Sequence, residues 1–259
     1  VLAEHEHIEA AASLLIRIRD WDGLNALIAA HADALVRQGR SAILESWIRE
    51  LPENRLAGDP WLQYWLGVCR FPYAPRETRE LFFRAYRHFE ATAPVDLHGV
   101  LAALNGALEA ILHDSNDYRA LDPWIEIANR RIRDVREWPS ADLEARLTSN
   151  LFMAIALRQP NHPDLAFWRT KAQDISQLER DANVRISNDA ILAALSAWQG
   201  QFAGALRLIE GMRELTTMPD ISPFSALKFA QAEAIYHMFT GDTDKCLESV
   251  ERGLAIVAQ

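Results

Sequence analysis

The residues best suited to chemistry are three aromatic side chains followed by an arginine. Trp61, Tyr64 and Trp65 follow the spacing i, i+3 and i+4, so on a helix they would cover a wide arc. Arg70 follows within two helical turns. Exposed aromatic surface beside a guanidinium combines apolar contact with a cation, which is typical of recognition surfaces. We expect at least one of these side chains to face a binding groove. The alternative is that the rings pack between helices and Arg70 pairs with a surface acid.

Polar residues on later helices would complete such a groove. In a superhelix of helical hairpins, the first helix of each hairpin lines the concave wall, so side chains from successive first helices meet there. The candidate residues for a ligand or partner groove are Trp61, Tyr64, Trp65, Arg70, Asn105, Glu109, Arg146 and Asn150.

The chain lacks the sequence motifs of common catalytic and metal sites. It has no Gly-Lys dipeptide, so the phosphate-binding Walker A loop is absent, and it has no Gly-x-Ser-x-Gly or His-Glu-x-x-His motif. His5 and His7 are two residues apart, which on a helix turns them to different faces. Cys69 and Cys246 lie in apolar helical contexts typical of small core residues. We therefore expect no enzyme activity, no catalytic residue, no metal and no cofactor.

The charge pattern argues weakly against direct DNA binding. The formal net charge is -9, whereas a duplex-binding surface needs clustered Lys and Arg. The one basic run, at 130–136, is interleaved with Glu126, Asp134 and Glu137, which is typical of a solvated, salt-bridged helix face. We expect this chain neither to hydrolyse ATP nor to bind a DNA duplex specifically.

The sequence also predicts where the protein works. No apolar run approaches the roughly 18 residues that cross a bilayer, and the chain does not open with a secretory signal pattern. The two cysteines do not suggest a disulfide framework. We therefore expect a cytoplasmic protein. Because Val1 stands where an initiator Met would be, we also expect a fragment of a longer protein.

Apolar residues recur with helical spacing along nearly the whole chain. Trp47 and Leu51, for example, lie one turn apart on a broad apolar stripe and should be buried where their helix meets its neighbours. Asp59 and Ser222 each precede a proline, which predicts a helix N-cap, and Asp122-Pro123 should kink or delay a helix. The predicted helices are 4–18, 22–38, 40–51, 60–70, 75–92, 95–112, 117–135, 140–158, 163–180, 184–198, 202–215, 223–239 and 242–258.

A weak internal repeat indicates how these helices are arranged. Gly200-Gln201-Phe202 and Gly241-Asp242-Thr243 lie 41 residues apart, and each stands at the turn before a helix. Two helices per unit with a period near 40 residues are the signature of a helical solenoid. We expect an all-α fold, a right-handed α-α superhelix of the tetratricopeptide-like type, forming one continuous domain over residues 1–259. The alternative is an irregular helical bundle.

Several stretches of the chain resemble one family of regulators. The stretches are ASLL at 12–15, RDWDGL at 19–24, LVRQGR at 35–40, LESWIRELP at 44–52, DPWL at 59–62, YWLGVCR at 64–70 and RQPNHPDL at 158–165. They resemble the large ATP-dependent bacterial transcriptional regulators of the MalT-like, LuxR type, and relatives that carry a bacterial transcriptional activator domain. The Trp-Ile-x-x-Leu-Pro ending followed by Asp-Pro-Trp-Leu is the most specific match. The resemblance is good to about residue 90 and patchy to about residue 180.

The resemblance implies a module and a context rather than a reaction. In that family the segment follows the ATPase module and opens a tetratricopeptide-like superhelix. It implies a sensor and interaction domain that relays a signal to ATPase and DNA-binding modules outside this chain, by a population shift between inhibited and open arrangements. The expected partner is a protein or a small-molecule inducer. DNA would be contacted only through a domain absent from this chain. No contact with a membrane is expected, and self-association is left open.

Two other functions remain open from the sequence. The chain is alternatively a free-standing tetratricopeptide-like adaptor that binds peptides of a partner protein. A helical enzyme is the weaker alternative, and it would need a reactive pocket with perturbed titratable groups.

Overall fold

The protein is all-helical, as the apolar spacing predicts. The structure is a computed structural model that describes residues 2–114, 117–133 and 135–257, with side chains from His7 onward. Helices hold 82% of the described residues, which contain no strand, and this confirms the all-α prediction. The chain divides into two compact units, Val1–Asp114 and Ser115–Gln259. The expectation of one continuous domain stays a prediction.

The described part of the first unit contains seven helices, six of which contribute to one apolar core cluster. They are α1 (Leu2–Ile18), α2 (Trp21–Arg37), α3 (Ser41–Glu50), α4 (Glu53–Gly58), α5 (Pro60–Arg70), α6 (Pro75–Ala91) and α7 (Leu97–Asp114). The core joins Leu24 and Ile28 of α2 to Leu44 and Ile48 of α3 and Leu62 of α5, all of them almost fully buried. Burial of such side chains contributes about 1.5–3 kcal/mol each, so this cluster stabilises the unit.

The second unit is likewise built from consecutive helices that pack around apolar residues. Its elements are a 3-10 helix (Tyr118–Leu121), α8 (Asp122–Arg133), α9 (Ala141–Arg158), α10 (Leu165–Leu178), α11 (Ala182–Trp198), α12 (Phe202–Leu215), α13 (Pro223–Thr240) and α14 (Thr243–Val257). One core cluster in this unit joins Ile186 of α11, Ile209 and Met212 of α12 and Phe229 of α13. Three consecutive helices therefore share one apolar centre.

Helices pack mainly on their neighbours in the chain. In the first unit the main pairs are α1–α2, α2–α3, α3–α5, α5–α6 and α6–α7, together with α5–α7. In the second unit each helix from α8 to α13 packs on the next one, and α9–α11 and α11–α13 form next-but-one pairs. Within each unit, packing between the described helices therefore follows the order of the chain.

Glycines let α5, α6 and α7 approach closely. Phe82 of α6 is almost fully buried, and its ring lies where a Cβ would stand at Gly67 of α5 and at Gly106 of α7. A Cβ at Gly106 would be 2.6 Å from two Phe82 ring carbons, and one at Gly99 would be 2.3 Å from Phe89. The bare backbone is therefore needed at these positions to seat the aromatic rings of α6.

One turn type recurs at the ends of paired helices. Gly200 and Gly241 have φ of +76° and +79°, a left-handed conformation that glycine adopts without steric cost. After each glycine the next amide reaches back five residues, from Gln201 to the Ser196 carbonyl and from Asp242 to the His237 carbonyl. The two positions that carry the predicted repeat thus end α11 and α13 in the same way.

The predicted helix boundaries agree closely with the structure. The ranges 60–70 and 202–215 match α5 and α12 at both ends. Asp59 accepts hydrogen bonds from the amides of Trp61 and Leu62, and the Ser222 hydroxyl accepts one from the Ser225 amide, which confirms both predicted caps. Positions 134 and 258, at the ends of two predicted helices, lie outside the described residues.

The structure corrects the sequence prediction at one helix and confirms a delay at another. The prediction missed α4. The side-chain amide of Gln63 donates hydrogen bonds to the last carbonyls of this helix, at 3.2 Å to that of Leu56 and 2.9 Å to that of Ala57. The local spacing of apolar residues cannot reveal a short helix whose end is stabilised by hydrogen bonds from the next helix. The α-helix α8 begins at Asp122, after a 3-10 turn, and so starts later than residue 117 as predicted, but Asp122 itself has helical φ of −50° and ψ of −53° although it precedes a proline.

Trp47 and Leu51 are buried at 5% and 6% exposure in the core of the first unit, which confirms the packing prediction. Across the described ranges 2–114, 117–133 and 135–257, no helix combines the length and the apolar character that spanning a membrane requires.

Candidate functional site

Trp61 joins the start of α5 to the start of α7. Its indole N–H donates a hydrogen bond of 3.0 Å to the Asp96 carboxylate, which lies directly before α7. Its ring centre lies 5.0 Å from those of Phe89 and His98, both in edge-to-face geometry. The side chain is half-buried. The indole N–H and much of the ring of Trp61 are therefore already in contact with residues of the first unit.

The other two aromatic residues continue this cluster. Tyr64 is 6% exposed, with its ring 5.8 Å from Phe82 and 5.0 Å from Trp65. Trp65 is half-buried against the core and stacks on Trp61 at 6.3 Å. Tyr64 therefore offers almost no surface to a ligand, whereas Trp61 and Trp65 keep part of their rings accessible.

Arg70 lies at the end of α5 between two carboxylates. Its Nη2 is 2.7 Å from Glu77, and its Nε is 3.7 Å from Glu45. Glu45 also accepts hydrogen bonds from Arg49, at 2.8 Å, and from the Tyr73 hydroxyl. The side chain of Arg70 is 24% exposed, so it keeps a small accessible area while its charge is balanced locally.

Cys69, beside Arg70, is protected from thiolate chemistry. Burial, and secondly the nearby Glu45 carboxylate, raise the pKa of the Cys69 thiol to about 12. The thiol therefore stays protonated at neutral pH, and since the thiolate is the reactive form, Cys69 acts as a small core residue.

Asn105 and Glu109 belong to α7, the most buried helix of the first unit. Asn105 is 2% exposed, within a run that is buried from Gly99 to Leu108. Glu109 is half-buried one turn later, and its backbone carbonyl contacts Nδ1 of His113 at 3.0 Å. The structure therefore places Asn105 inside the packing of the unit, and Glu109 at its margin.

Arg146 and Asn150 lie on α9, in the second unit. The Nε of Arg146 is 3.4 Å from Asp142 one turn earlier, with 32% of the arginine side chain exposed. Asn150 is 6% exposed. Six of the eight predicted groove residues thus belong to the first unit and two to the second.

Sequence reasoning missed a buried polar cluster in the second unit. Ser149 of α9 hydrogen-bonds to the side-chain oxygen of Asn188 on α11, and the Asn188 amide donates to the Ala172 carbonyl of α10 at 3.0 Å. Asp189 beside it is 2% exposed, and burial raises its pKa to about 6. The sequence signal for this cluster was the pair Asn188-Asp189 within the otherwise apolar centre of α11, because buried polar side chains need hydrogen-bond partners.

A second missed group is the buried carboxylate of Glu233 on α13. It is 2% exposed and pairs with Arg213 of α12, at 2.6 Å, and with Arg252 of α14. Both arginine side chains are 56% exposed, so their charges remain hydrated while Glu233 is neutralised from two sides. This pairing ties three successive helices together.

The first unit also has a cavity of about 270 Å³ beside α4. It is lined by Trp21, Asn25, Leu51, Asn54, Arg55, Gly58, Asp59 and Leu62. Three of its polar side chains already have partners within the unit. The Asn25 amide donates to Asp59 at 3.0 Å, and Arg55 pairs with Asp22. The cavity is therefore a crevice between helices in which Asn25, Arg55 and Asp59 are already paired.

One arginine of the basic run on α8 pairs with an acid of its own unit. Arg133 pairs with Asp164, and its guanidinium carbon lies 5.9 Å from the centre of the Phe167 ring. Asp134, an acid that the sequence analysis counted in this run, lies outside the described residues. Among the described side chains, no group of three or more His, Cys, Asp or Glu is placed to hold a metal ion.

Comparison with known proteins does not add a family to this geometry. No protein-family model matches the chain, and no curated protein sequence matches it significantly. Of the predicted groove residues, Trp61, Trp65, Arg70 and Glu109 in the first unit and Arg146 in the second keep partial access to solvent.

Proposed function

We propose that the helices of each unit stack as a right-handed, tetratricopeptide-like α-α superhelix and that the chain is a sensor and interaction domain. Contacts between a helix and the next two along the chain support this architecture, because a solenoid repeat packs only on its neighbours. A protein of this kind recognises partners through extended surfaces rather than through a reactive pocket.

The observation that carries the proposal is a set of hydrogen bonds with nearly constant sequence separation. Asn25 bonds to Asp59 across 34 residues, Trp61 to Asp96 across 35, and Asn129 to Asp164 across 35. Asn183 and the Ser222 amide are joined across 39 residues. In each case the later partner stands directly before a helix, so every link ties one repeat to the start of a helix in the next.

The regulatory context rests on the resemblance to MalT-like, LuxR-type regulators. In that context the domain would bind a protein or a small-molecule inducer in the bacterial cytoplasm. Binding would shift the population between inhibited and open arrangements and so signal to ATPase and DNA-binding modules encoded outside this chain. The accessible parts of Trp61 and Trp65, and separately of Arg70 at the other end of α5, are the proposed recognition sites, since aromatic and arginine side chains dominate binding energy in many interfaces.

The first test is the coding sequence on either side of this chain. A regulator requires an upstream Gly-x-x-x-x-Gly-Lys loop and a DNA-binding module. The second is transcript profiling of cells that carry Arg70→Gln in the natural gene. We expect a defined set of transcripts to change while the protein level and melting temperature stay near those of the parent.

The matched control is Arg119→Gln, since the side chain of Arg119 is 79% exposed and lies in the second unit. Unchanged transcripts in both variants, together with flanking sequence that lacks both modules, would reject the regulator. The adaptor function would then be the better explanation.

A further inference from the structure

Three helices of the second unit begin at matched positions of a repeat. Their N-cap side chains each accept a hydrogen bond from an amide in the first turn, and these residues, 41 apart in sequence, are Ser140, Asp181 and Ser222. The Ser149 hydroxyl hydrogen-bonds to Asn188, and the Ser222 amide donates to the Asn183 side chain, in both cases across 39 residues. These bonds join α9 to α11 and α11 to α13, so the three helices lie side by side in a common register.

Four matched positions on each of these helices form one face. They follow the spacing i, i+4, i+7 and i+11, which keeps them on the same side of a helix. We call these twelve residues the three-helix face. It consists of Arg146, Asn150, Met153 and Leu157 on α9, Ser187, Ile191, Ala194 and Trp198 on α11, and Lys228, Ala232, Ile235 and Phe239 on α13. Asn150 and Ala232 are buried, and the other ten residues are half-buried or exposed.

Packing between repeats leaves this face accessible. The central helix, α11, packs against four helices, which are α9, α10, α12 and α13. Trp198 at the end of α11 is nevertheless 52% exposed, and its counterpart Phe239 on α13 is 41% exposed. The repeat that follows Trp198 therefore does not cover it, and the same position stays accessible in both repeats.

The chemistry of the face changes along the helix axes. Its first positions hold the cations Arg146 and Lys228, whereas its last positions hold Leu157, Trp198 and Phe239. The twelve residues include no carboxylate, although the whole chain has 36 Asp and Glu against 27 Lys and Arg. One end of the face therefore suits an anionic group, and the other end suits a large apolar side chain.

Both cations contact a neighbour on their own helix. The Nε of Arg146 lies 3.4 Å from the Asp142 carboxylate, and 32% of the arginine side chain is exposed. The Nζ of Lys228 lies 5.2 Å from the centre of the Phe224 ring. A guanidinium has five N–H donors and an ammonium has three, so each cation has donors for a carboxylate of a partner as well.

The dimensions of the face match a short stretch of extended chain. Its first and last positions are separated by eleven residues, which on a helix is about 16 Å at 1.5 Å per residue. An extended peptide covers this distance with about five residues, at roughly 3.3 Å each. Three helices that pack about 8–10 Å apart give the face a width of about 16–20 Å. A peptide fits this surface better than a small molecule, which is normally enclosed by its site.

We propose that the three-helix face binds an extended segment of a partner protein, in which an acidic residue stands about five positions from a large apolar residue. Arg146 and Lys228 contact the acidic residue, while Trp198 and Phe239 contact the apolar one. The aromatic contacts supply most of the affinity, and the charges fix the direction of the segment and disfavour basic segments. The inference rests on the proposed interaction function and names a partner for it, at a site distinct from Trp61, Trp65 and Arg70.

The test begins with selection from a displayed library of random peptides of about twelve residues, long enough to cover the face. The whole chain is the bait, and Trp198→Ala is the bait for counter-selection. This variant should fold, because the side chain that it removes is 52% exposed. We expect the peptides enriched on the parent alone to share an acidic residue about five positions from a large apolar residue.

Fluorescence polarisation then measures the tightest selected peptide on single variants. Trp198→Ala should weaken its binding at least about tenfold, because aromatic side chains dominate binding energy. The matched control is Phe167→Ala, which removes an aromatic ring that is 53% exposed on α10, outside the face. Circular dichroism checks that each variant folds.

Charge reversal separates the basic end of the face from the net charge of the protein. Lys228→Glu should weaken the selected peptide about fivefold or more, because an attraction becomes a repulsion. Lys245→Glu makes the same change in net charge on α14, where the lysine side chain is 62% exposed, and should leave binding near that of the parent.

Four results would overturn the proposal. They are absence of enriched peptides, a shared pattern without an acidic residue, binding that survives Trp198→Ala, and equal weakening by Lys228→Glu and Lys245→Glu. Peptides that are lost in Arg70→Gln and kept in Trp198→Ala would reject this face while supporting the interaction function. The transcript response to Arg70→Gln and the flanking coding sequence decide the regulator separately, so the two proposals fail independently.

Discussion

Trp61 donates its indole N–H to the Asp96 carboxylate at 3.0 Å, across 35 residues of sequence. Asp96 also accepts a hydrogen bond of 2.9 Å from the Gly99 amide and so caps the first turn of α7. One carboxylate therefore holds the start of α7 and receives the side chain of the helix one repeat earlier. Trp61, a candidate ligand-binding residue, therefore also links α5 to the start of α7.

Trp61→Phe should destabilise the first unit by about 2–3 kcal/mol, because a hydrogen bond to a charged group contributes about 1.5–3 kcal/mol and the smaller ring leaves a gap. Trp65→Phe makes the same change on the same helix, where the described contacts of the indole are ring contacts. It should cost at least about 1 kcal/mol less. Urea unfolding followed by fluorescence compares them. Equal losses would mean that the bond to Asp96 contributes nothing.

Trp47→Ala should lower the free energy of unfolding by about 3–5 kcal/mol, since Trp47 is 5% exposed and its truncation leaves a cavity. Trp198→Ala removes the same side chain where it is 52% exposed and should cost less than about 1 kcal/mol. Chemical denaturation followed by circular dichroism measures both. A Trp47→Ala protein as stable as the parent would contradict the packing described for α3.

Gly106→Ala should destabilise the first unit by about 1–3 kcal/mol despite the better helix propensity of alanine. The new methyl group would meet the Phe82 ring at 2.6 Å. Gly211→Ala is the opposite case. This glycine is also helical, and the space around its Cβ position is open to 4 Å, so stability should rise by about 0.5–1 kcal/mol. Thermal unfolding should shift in opposite directions, and a Gly106→Ala protein at least as stable as the parent would refute the close approach at Phe82.

Asp189 should make the second unit less stable as the pH rises from about 4 to about 6. Its pKa is raised from 3.8 to about 6 by burial, against the smaller opposing effects of Ser176 and Arg185. Below pH 4 the carboxyl is neutral in both states. Between these values the unfolded chain releases the proton first, so stability falls, and above pH 6 the penalty stays constant at on the order of 3 kcal/mol.

Asp189→Asn should remove that dependence. We expect its stability relative to the parent to be highest at pH 7 and to fall as the pH is lowered to 4, measured by urea unfolding at a series of pH values. Asp174→Asn, at an exposed position on α10, should leave the parental slope in place. A parental slope in Asp189→Asn would show that another group titrates in this range.

The long helices could be predicted from sequence because their signals are local. Apolar spacing, Asp59 and Ser222 before proline, and Gly200 and Gly241 after the last turn act within a few residues of the helix they define. The burial of Trp47 follows from the same periodicity. α4 escaped prediction because the hydrogen bonds at its end come from Gln63 of the next helix.

The sequence by itself therefore determined the helical class, most of the positions where the long helices begin and end, and the residues of an aromatic group on α5. Only the tertiary structure decided which of those residues are accessible. Trp61 and Tyr64 are three positions apart, yet Tyr64 is sealed beside Phe82 while Trp61 reaches Asp96. Likewise Ile209 is buried and Val250 exposed, although both occupy the same position in their repeats. Burial depends on whether another helix lies against the side chain, and that is a property of packing between distant parts of the chain.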